Sequence, residues 1–491
     1  MKQDQIKTLG DLKKSKYQSK SIHQELRENL IQKMQNGEEV FPGIVGYEDT
    51  VIPKLERAIL AGHSINLLGL RGQAKTKIAR LMTNLLDEYI PIVSGSEVND
   101  DPFSPLSFYA REKIEKEGDK TPIEWVHRNE RYVEKLATPD VSIADLIGDV
   151  DPIKAANLKL DYSDERVIHF GLIPRANRSI FVINELPDLQ ARIQVALFNI
   201  LQEGDIQIRG FQLRFPLDIQ LVFTANPEDY TNRGSIITPL KDRIQSQIMT
   251  HYPNSISIAK SITEQEAKVV DDVKVKVLVP EIIKDLLEQI AVEARESEFV
   301  DEKSGVSARL SISAYETLFS ATERRMLKNK EKETTARIAD VMAVIPAIIG
   351  KIEMVYEGEQ EGATNVSYAL IRSAIRALAA TYFSELKDLK KKSDDRYADD
   401  YSKIINWFSS NRIDLMNEAS KKQYHKQLDQ VEGLSELVTT KFSNLPEEGK
   451  YLMMEFLLHA LAEYSHLSKQ QLERSYQFGD LLSSFFSGEE A

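Results

Sequence analysis

The sequence predicts an α/β core built on a parallel sheet, followed by a long helical region. Three continuous apolar runs indicate buried strands, and each ends at a glycine turn or a polar residue: SINLLGL, RSIFVINEL and IQLVFTAN. Helical periodicity follows the first two runs, as expected when crossover helices connect parallel strands. Beyond about Tyr252 the strand signals fade, and helical patterns dominate to the end of the chain.

Length and composition narrow the class of protein. A chain of 491 residues suggests roughly three domains. Apolar residues make up 42% and charged residues 28%, which is ordinary for a soluble globular protein, and no apolar run is long enough to cross a bilayer. The first twenty residues carry lysines but no apolar segment, so they do not resemble a secretory signal. We therefore expect a cytoplasmic protein without a membrane anchor.

The charge and the cysteine count point to the kind of partner. The chain contains no cysteine, which excludes disulfides and thiolate metal sites. Its formal net charge of −13 disfavours nucleic acid as a partner, although a local basic patch is compatible with that value. Protein partners are the better expectation.

The chain begins with a polar segment, residues 1–40, that contains one amphipathic helix. Ile22, Leu26 and Leu30 recur at helical spacing, and the helix can pack on the following domain. A turn at Asn36-Gly37 ends it, and a second helix is predicted from about residue 49 to residue 60, directly before the first buried strand.

The stretch from Ser64 to Met82 reads as a strand, a glycine turn and a helix, the type of junction that binds phosphates. Against the pattern G-x-x-x-x-G-K-[ST] it supplies Gly69, Ala74, Lys75 and Thr76, so alanine replaces one glycine. Ala74 is tolerable if this position is already right-handed helix. An ordinary strand-turn-helix is the alternative for this segment alone. The predicted cofactor-binding residues are Gly69, Gly72, Gln73, Ala74, Lys75, Thr76 and Lys77.

The chemistry of this stretch suits a nucleotide with its magnesium ion. Backbone N–H groups of the turn and the positive end of the helix dipole favour a polyphosphate. Lys75 would place a charge on the β- and γ-phosphates, and the Thr76 hydroxyl would join the shell of Mg²⁺.

A short strand at residues 89–93 is followed by a long polar excursion, residues 95–161. A compact domain rarely spends that length without reason, so we expect an inserted helical or loop element, or else a covering flap. Residues 143–152 resemble a calcium loop only superficially, because the ligand spacing is incomplete; no dedicated metal site is predicted there.

Polar residues follow the second and third buried strands. Asn184 and Glu185 end the second strand, and Asn226 ends the third, after a hairpin at residues 205–218. The carboxyl ends of parallel strands border the ligand crevice, where Glu185 can orient or deprotonate a water and Asn226 can hold that water or a phosphate. Taken alone, a glutamate after an apolar run is more often a solvated strand end than a catalytic residue, and strand capping explains Asn226 nearly as well. The phosphate loop on the neighbouring strand favours the catalytic interpretation of Glu185.

Arg243 precedes a further strand, in LKDRIQSQIM, where an exposed arginine can enter the nucleotide site of another subunit or form an ordinary surface ion pair. A helical domain then extends to about residue 358 and contains Arg309 at a helix start. Residues 359–491 form a further helical module with a solvated charge run at 387–396 and no catalytic motif.

In this order, these features resemble an AAA+ ATPase. Within that superfamily the chain resembles the MoxR and magnesium-chelatase I-subunit branch, over about residues 41–355. The motifs that carry the likeness are IVGYEDT, GLRGQAKT, GLIPRANRSIFVINELPDL, RGFQLRFP, ANPEDY, PLKDR and VSARL.

The resemblance implies a three-layer α/β core with a parallel sheet over residues 41–253, including a helical insert and the hairpin. A helical lid over 254–358 and a C-terminal all-α module over 359–491 would follow. It also implies roles at this chain's positions: Lys75 and Thr76 for phosphate and magnesium, Glu185 for activating water, and Asn226 for sensing the γ-phosphate.

The arginines would act between parts of an assembly. The resemblance makes Arg243 the finger given to a neighbouring subunit and Arg309 a second sensor that reaches the nucleotide from the lid, and it suggests that Arg175 and Arg178 also face a neighbour.

One position departs from the family pattern, which usually has Asp before the Glu where this chain has Asn184. An amide accepts a hydrogen bond from a metal-bound water but brings no charge. We therefore expect weaker magnesium binding or slower turnover, testable by magnesium titration of Asn184→Asp.

The function implied is a ring-forming ATPase, a hexamer that uses ATP and Mg²⁺ to remodel a protein partner such as a von Willebrand A type protein. Two alternatives are a motor subunit of a magnesium-chelatase-type metal-insertion complex and a nucleotide-gated scaffold with weak hydrolysis. A transcription activator is disfavoured, because the sequence has no GAFTGA-like loop.

Overall fold

The computed structural model describes residues 5–162, 164–208, 214–227, 235–387, 396–472 and 474–481. The chain divides into two compact units, Met1–Tyr252 and Pro253–Ala491. The domain boundaries expected from the sequence stay predictions. No helix within the described ranges is long and apolar enough to cross a membrane.

The first unit combines short helices with eleven strands among its described residues. Its helices are α1 (Leu9–Lys14), α2 (Ile22–Asn36), α3 (Ile52–Leu60), α4 (Lys75–Leu81), α5 (Phe108–Glu117), α6 (Ile143–Leu146), α7 (Pro152–Leu158), α8 (Leu172–Arg175), α9 (Ala191–Ala196), α10 (Phe198–Gln202) and α11 (Thr238–Arg243). Its strands are β1 (Ile65–Leu68), β2 (Tyr89–Val93), β3 (Ile123–His127), β4 (Tyr132–Leu136), β5 (Gly148–Val150), β6 (Ile168–Phe170), β7 (Ser179–Asn184), β8 (Asp205–Gln207), β9 (Arg214–Pro216), β10 (Ile219–Ala225) and β11 (Ser246–Met249).

Five of these strands form one parallel sheet in the order β11-β1-β10-β7-β4. The three predicted apolar runs are β1, β7 and β10, which lie side by side and are buried along their whole length. The predicted parallel α/β core is confirmed. Because the strands are parallel, their carboxyl ends meet at one edge of the sheet.

Both faces of the sheet are covered, which gives the expected three layers. In β7, Ile180 and Val182 belong to one hydrophobic cluster, whereas Phe181 and Ile183 belong to another. Successive side chains of a strand point to opposite faces, so the two clusters are the two covered faces. Helix α4 contributes Ile78 to the first of these clusters.

The N-terminal helix α2 packs on this core, as the sequence allowed. Ile22, Leu26 and Leu30 are fully buried in the cluster that also contains β1. Beside them, Glu25 forms a two-pronged ion pair with Arg131, with both N···O distances 2.6 Å and the side chains 3% and 1% exposed. The pair joins the N-terminal segment to the turn before β4.

The polar excursion differs from the expectation of an inserted helical or loop element. It contains helices, but it also supplies β4, the edge strand of the main sheet. The strand predicted at residues 89–93 exists as β2 but pairs antiparallel with β3 outside that sheet. The reason is that β4 is only partly buried, so its sequence YVEKL contains two adjacent charged residues and gives no apolar run.

The predicted hairpin is present in its paired part, where β8 and β9 run antiparallel. Its expected tip around Arg209-Gly210 lies outside the described residues, as does most of the charge run at 387–396.

The second unit is largely helical, which confirms the prediction in its main part. Its helices are α12 (Ile256–Glu266), α13 (Asp271–Lys276), α14 (Glu281–Glu296), α15 (Arg309–Lys328), α16 (Ile338–Val341), α17 (Ile345–Ile349), α18 (Tyr356–Glu361), α19 (Ala363–Tyr382), α20 (Arg396–Phe408), α21 (Lys421–Leu428), α22 (Leu434–Lys441) and α23 (Glu447–Glu463). One hydrophobic cluster extends from Val277 to Phe478.

The expected helical lid, 254–358, and the expected all-α module, 359–491, each need a correction, because the second unit contains a strand pair in the first range and a three-stranded sheet in the second. A parallel pair joins β12 (Val277–Leu278) and β13 (Thr334–Thr335). An antiparallel sheet in the order β14-β16-β15 joins β14 (Ile413–Met416), β15 (Ser468–Gln471) and β16 (Ser475–Gly479). Most of these short, half-exposed strands leave too little apolar sequence to be distinguished from loops; β14, with its alternating burial, is the exception.

Candidate functional site

The turn between β1 and α4 is a tight loop whose glycines are required by its geometry. A Cβ on Gly69 would lie 1.9 Å from Thr250 Oγ1 and 2.2 Å from Gln73 Oε1, so no side chain fits there. Gly72 has a φ of 74°, in the left-handed region that favours glycine. Gly69 therefore allows the loop to pack against Thr250 and Gln73, and Gly72 allows its left-handed turn.

Lys75 opens α4 with its side chain inside the loop. The side chain is buried, and Nζ donates hydrogen bonds to the carbonyl oxygens of Gly69 and, at 3.0 Å, of Leu70. An ammonium held over a turn of backbone N–H groups is the arrangement that binds phosphate oxygens. Thr76 follows on the first turn of α4 and is partly exposed.

Two other predicted loop residues brace the loop through their side chains. Gln73 is buried, and its Oε1 accepts a hydrogen bond of 2.7 Å from Thr250 Oγ1. Lys77 Nζ donates to the carbonyl oxygen of Gly43 at 3.0 Å. These hydrogen bonds tie the loop to the end of β11 and to the segment before α3.

Tyr47 is a support that the sequence did not reveal. Its hydroxyl donates to the carbonyl oxygens of Gln73, at 3.2 Å, and of His251, at 2.7 Å. Burial raises the pKa of Tyr47 to about 12, so the hydroxyl remains a donor at neutral pH. The IVGYEDT motif thus reaches the phosphate loop directly.

Ala74 does not sit in right-handed helix, so the condition set for it from the sequence is wrong. It is the N-cap of α4, with φ 55° and ψ 14°, in the left-handed region. The chain changes direction at Ala74 as it passes from the loop into α4, and this change requires the left-handed conformation whichever residue is present. A residue other than glycine pays about 1–2 kcal/mol for this conformation.

The predicted strand-end residues lie together at the carboxyl edge of the sheet. The N–H of Gly69, which follows β1, donates to the carbonyl oxygen of Ala225 at 3.1 Å, and the buried Asn226 comes next. The end of β10 is in turn joined to the end of β7, because the Glu185 N–H donates to Thr224 Oγ1 at 3.2 Å. The loop, Asn226 and Glu185 therefore occupy three adjacent strand ends.

Glu185 itself has an unusual backbone. Its φ of 55° places a non-glycine residue in the left-handed region directly after β7. Such strain costs roughly 1–3 kcal/mol and persists where the surroundings impose it, commonly at functional sites. The strain turns the chain sharply at the position where the carboxylate leaves the sheet.

Asn184 uses both ends of its amide within the protein. Its Oδ1 accepts a hydrogen bond of 3.1 Å from Thr224 Oγ1, and its Nδ2 donates to Glu134 Oε1. Glu134 lies on β4, and its other oxygen accepts from Arg80 and from the Tyr132 hydroxyl, both at 3.0 Å. Sequence reasoning missed Glu134 and Thr224; only the position of Thr224 two residues before Asn226 offered a signal.

Arg243 does not lie with the phosphate loop, Glu185 and Asn226 in the first unit. Arg243 ends α11, three residues before β11, whose first residue pairs with the first residue of β1, so it lies toward the opposite edge of the sheet from the loop. Its guanidinium donates to Gln202 Oε1 at 3.1 Å and lies 4.7 Å from the ring centre of Phe198.

The remaining predicted arginines have mixed outcomes. Arg309 is the exposed first residue of α15 in the second unit, and its sensor role stays a prediction. Arg175 is exposed. The expectation that Arg178 faces a neighbour is wrong, because its side chain is 5% exposed and donates to the Pro91 carbonyl oxygen at 2.8 Å inside its own unit.

The donors present fit a magnesium–nucleotide complex and not a metal ion alone. Hydroxyl, amide and carboxylate oxygens are the ligands Mg²⁺ prefers, and they occur here in Thr76, Asn184, Glu185 and Glu134. The described parts of the chain contain no cluster of three or more His, Cys, Asp or Glu side chains that could hold a metal. Magnesium would therefore need the phosphates bound by the loop.

Comparisons with known proteins find similar proteins over part of this chain. The model of the Sigma-54 interaction domain family matches residues 161–248, which include β7, β10 and all but the last residue of β11. The magnesium-chelatase 38 kDa subunit of Cereibacter sphaeroides is 26% identical over 232 residues, 46% of this chain and 63% of that protein. The corresponding subunit of Rhodobacter capsulatus is 27% identical over 220 residues, 44% of this chain and 57% of that protein.

The chain thus aligns with less than two thirds of the length of these curated relatives. Among solved structures, a complex between subunits BchI and BchD of magnesium chelatase contains a similar chain, with 21% identity and a TM-score of 0.34, covering 65% of this chain and 98% of that one. The sequence matches show that this chain is similar to the Sigma-54 interaction domain family over residues 161–248 and is related to the magnesium-chelatase 38 kDa subunits, and its sheet order and phosphate loop are those of an AAA+ fold.

Proposed function

We propose that this chain is a ring-forming motor that hydrolyses ATP and uses the energy to remodel a protein partner. One observation carries the proposal: the buried Lys75 in its loop, Glu185 and Asn226 occupy three adjacent strand ends at one edge of the sheet. That arrangement combines a phosphate-binding group, a carboxylate for water and an amide that can sense the γ-phosphate.

Each residue would act on a different part of the substrate. The loop N–H groups and Lys75 bind the β- and γ-phosphates, and Thr76 and Asn184 offer oxygens to the metal side. Glu185 orients the attacking water and accepts its proton, while Asn226 holds the water or the γ-phosphate in line. Magnesium, when bound, neutralises part of the phosphate charge.

The position of Arg243 is the reason for proposing a ring of subunits. The hydrogen bond to Gln202 and the ring of Phe198 hold its guanidinium toward the sheet edge opposite its own loop. A finger in that position serves the site of the next subunit in a head-to-tail ring. Arg309 would reach the nucleotide as the second sensor, and a hexamer is the expected ring.

The partner class remains open between two candidates. The resemblance to MoxR proteins favours a von Willebrand A type partner or another protein client. The similarity to magnesium-chelatase 38 kDa subunits favours instead a motor subunit in a metal-insertion complex. A nucleotide-gated scaffold with weak hydrolysis is a third reading, which the neutral Asn184 favours.

Subunit mixing tests the motor and its ring together. Lys75→Ala should abolish nucleotide binding, whereas Arg243→Ala should abolish ATPase activity and leave nucleotide binding intact. In an equal mixture, an Arg243→Ala site next to a Lys75→Ala subunit has both parts, so about a quarter of the wild-type rate should return if subunits mix at random in a head-to-tail ring.

Arg192→Ala, an exposed arginine on α9, is the matched control and should retain the wild-type rate. Full ATPase activity of Arg243→Ala on its own would refute the shared site. To separate the partner classes, a Glu185→Gln variant trapped with ATP can be used to capture bound proteins. A von Willebrand A type protein supports the first candidate, and a large porphyrin-binding subunit supports the second.

A further inference from the structure

We propose that Glu134, on the edge strand β4, supplies to the magnesium side of the site the negative charge that Asn184 lacks. The inference rests on the proposed function and deepens it by naming a further metal-positioning residue. Nothing in the phosphate-loop or strand-end motifs points to Glu134, because it lies on a strand that carries no motif.

The first step is the orientation of the Asn184 amide. Thr224 Oγ1 donates to its Oδ1 at 3.1 Å, and its Nδ2 donates to Glu134 Oε1. Since a hydroxyl fixes one end and a carboxylate the other, the amide is held in a single orientation. Glu134 is therefore coupled to the position where the family pattern has a carboxylate.

The second step is the direction in which Glu134 points. In the register of the parallel strands, Leu136 lies opposite Asn184 and Glu134 lies opposite Val182. Residues two apart on a strand share a face, so Glu134 and Asn184 lie on the same face as Val182. That face is the one covered by α4, because Val182 shares its hydrophobic cluster with Ile78 of α4.

The third step is the distance along α4. Glu134 Oε2 accepts a hydrogen bond of 3.0 Å from Arg80. Arg80 lies four residues after Thr76, and residues four apart are neighbours on one face of a helix. The Glu134 carboxylate therefore faces the side of α4 that also carries Thr76, whose hydroxyl is expected in the magnesium shell.

The ion pair with Arg80 leaves this carboxylate available. The Arg80 side chain is 66% exposed, and such surface pairs contribute at most about 1 kcal/mol. We expect a divalent cation nearby to displace a guanidinium held by so weak a pair, with the Tyr132 hydroxyl still donating to the carboxylate at 3.0 Å. Because β4 is an edge strand, water also reaches the carboxylate, as a hydrated magnesium ion requires.

The test exchanges the two groups across the contact. Glu134→Gln removes the charge and keeps the shape, and E134Q/N184D moves the carboxylate from β4 to β7 while the amide moves the other way. The readout is the affinity for a fluorescent ATP analogue, measured with EDTA and again with Mg²⁺. The ratio of the two affinities is the magnesium gain.

We expect Glu134→Gln to reduce the magnesium gain about tenfold, at the low end of outer-shell effects, and to leave the affinity in EDTA unchanged. The double variant should recover most of the gain. Glu130→Gln, an exposed glutamate in the turn before β4, is the matched control and should behave as wild type. Arg80→Ala, which keeps the carboxylate and removes its cationic partner, should retain or increase the gain.

Two results would overturn the inference while the proposed function stands: a wild-type magnesium gain in Glu134→Gln, or a double variant no better than Glu134→Gln alone. A loss of gain in Arg80→Ala equal to that in Glu134→Gln would assign the effect to the ion pair and would also overturn it. If the wild-type protein itself binds no nucleotide, the proposed function fails, and the inference fails with it.

Discussion

The left-handed backbone at Ala74 yields a prediction about stability that can be worked through in detail. Ala74 has φ 55° and ψ 14° at the start of α4, where the sequence pattern has glycine. Ala61 provides a control in the same unit, because it is an exposed alanine at a helix end with φ −84° and ψ −8°, in the right-handed region. The two substitutions Ala74→Gly and Ala61→Gly make the same chemical change in opposite backbone regions.

The magnitude follows from two opposing terms. Glycine loses more backbone freedom on folding, which costs about 0.5–1 kcal/mol at either position. At Ala74 the change also removes the left-handed strain of about 1–2 kcal/mol, whereas at Ala61 there is no strain to remove. Ala74→Gly should therefore leave the first unit more stable than Ala61→Gly does, by about 1–2 kcal/mol.

Urea unfolding followed by tryptophan fluorescence measures this difference. The chain has two tryptophans, Trp125 in the first unit and Trp407 in the second, so a Trp407→Phe background makes Trp125 the reporter of the first unit. Trp125 is a sensitive probe because its indole N–H donates to the Ile6 carbonyl oxygen at 3.1 Å and its ring packs edge-on against Tyr17. Equal destabilisation by Ala74→Gly and Ala61→Gly would refute the strain.

Two further predictions concern buried charge and buried polarity. Glu25→Gln leaves Arg131 buried without its counter-charge and should destabilise the first unit by about 3–5 kcal/mol, against less than about 1 kcal/mol for Asp119→Asn at the exposed pair with Lys13, both by urea unfolding; equal effects would contradict it. The ring nitrogens of His459 are buried without a partner among the described residues, and burial lowers its pKa well below the ordinary value. Below about pH 6.5, His459 is protonated in the unfolded chain but stays neutral in the folded chain. The free energy of unfolding therefore falls by up to about 1.4 kcal/mol per pH unit below that value. His459→Met should be more stable at pH 7 and should lose this part of the acid sensitivity, measured by unfolding at pH 7.5 and 5.5; an unchanged difference between the two pH values would contradict it.

The parts of the site that could be predicted from the sequence are those with a local signal. The loop has its glycines and Lys75-Thr76, and the strand ends are marked by a polar residue after an uninterrupted apolar run, as at Glu185 and Asn226. Central strands covered on both faces are mostly apolar along their length, so a run of consecutive apolar residues identifies them. Because β1, β10 and β7 run parallel, the polar residues that follow them lie at the same end of the sheet.

The edge strand could not be predicted in the same way. In β4 the side chains of Glu134 and Leu136 are exposed and the other three are partly buried, so no five-residue window has a clear period. The backbone of Ala74 was misjudged for a different reason, because loop closure and not the residue's own preference sets its φ. By contrast, β14 does carry a local signal, because buried Ile413 and Leu415 alternate with exposed residues at the period of a strand.

The contact between Asn184 and Glu134 explains why a motif read along one strand can misjudge the charge of a site. On parallel strands, a side chain and its neighbour two positions earlier on the next strand share a face, and a glutamate is long enough to bridge the diagonal. A carboxylate can therefore move from the end of β7 to the middle of β4 and still reach the same amide. Asn184→Asp alone would place two carboxylates in contact across that diagonal and remove a hydrogen bond. The neutral Asn184 is therefore the residue that Glu134 on the neighbouring strand accommodates. Substitutions at either position should be judged by their effect on the pair.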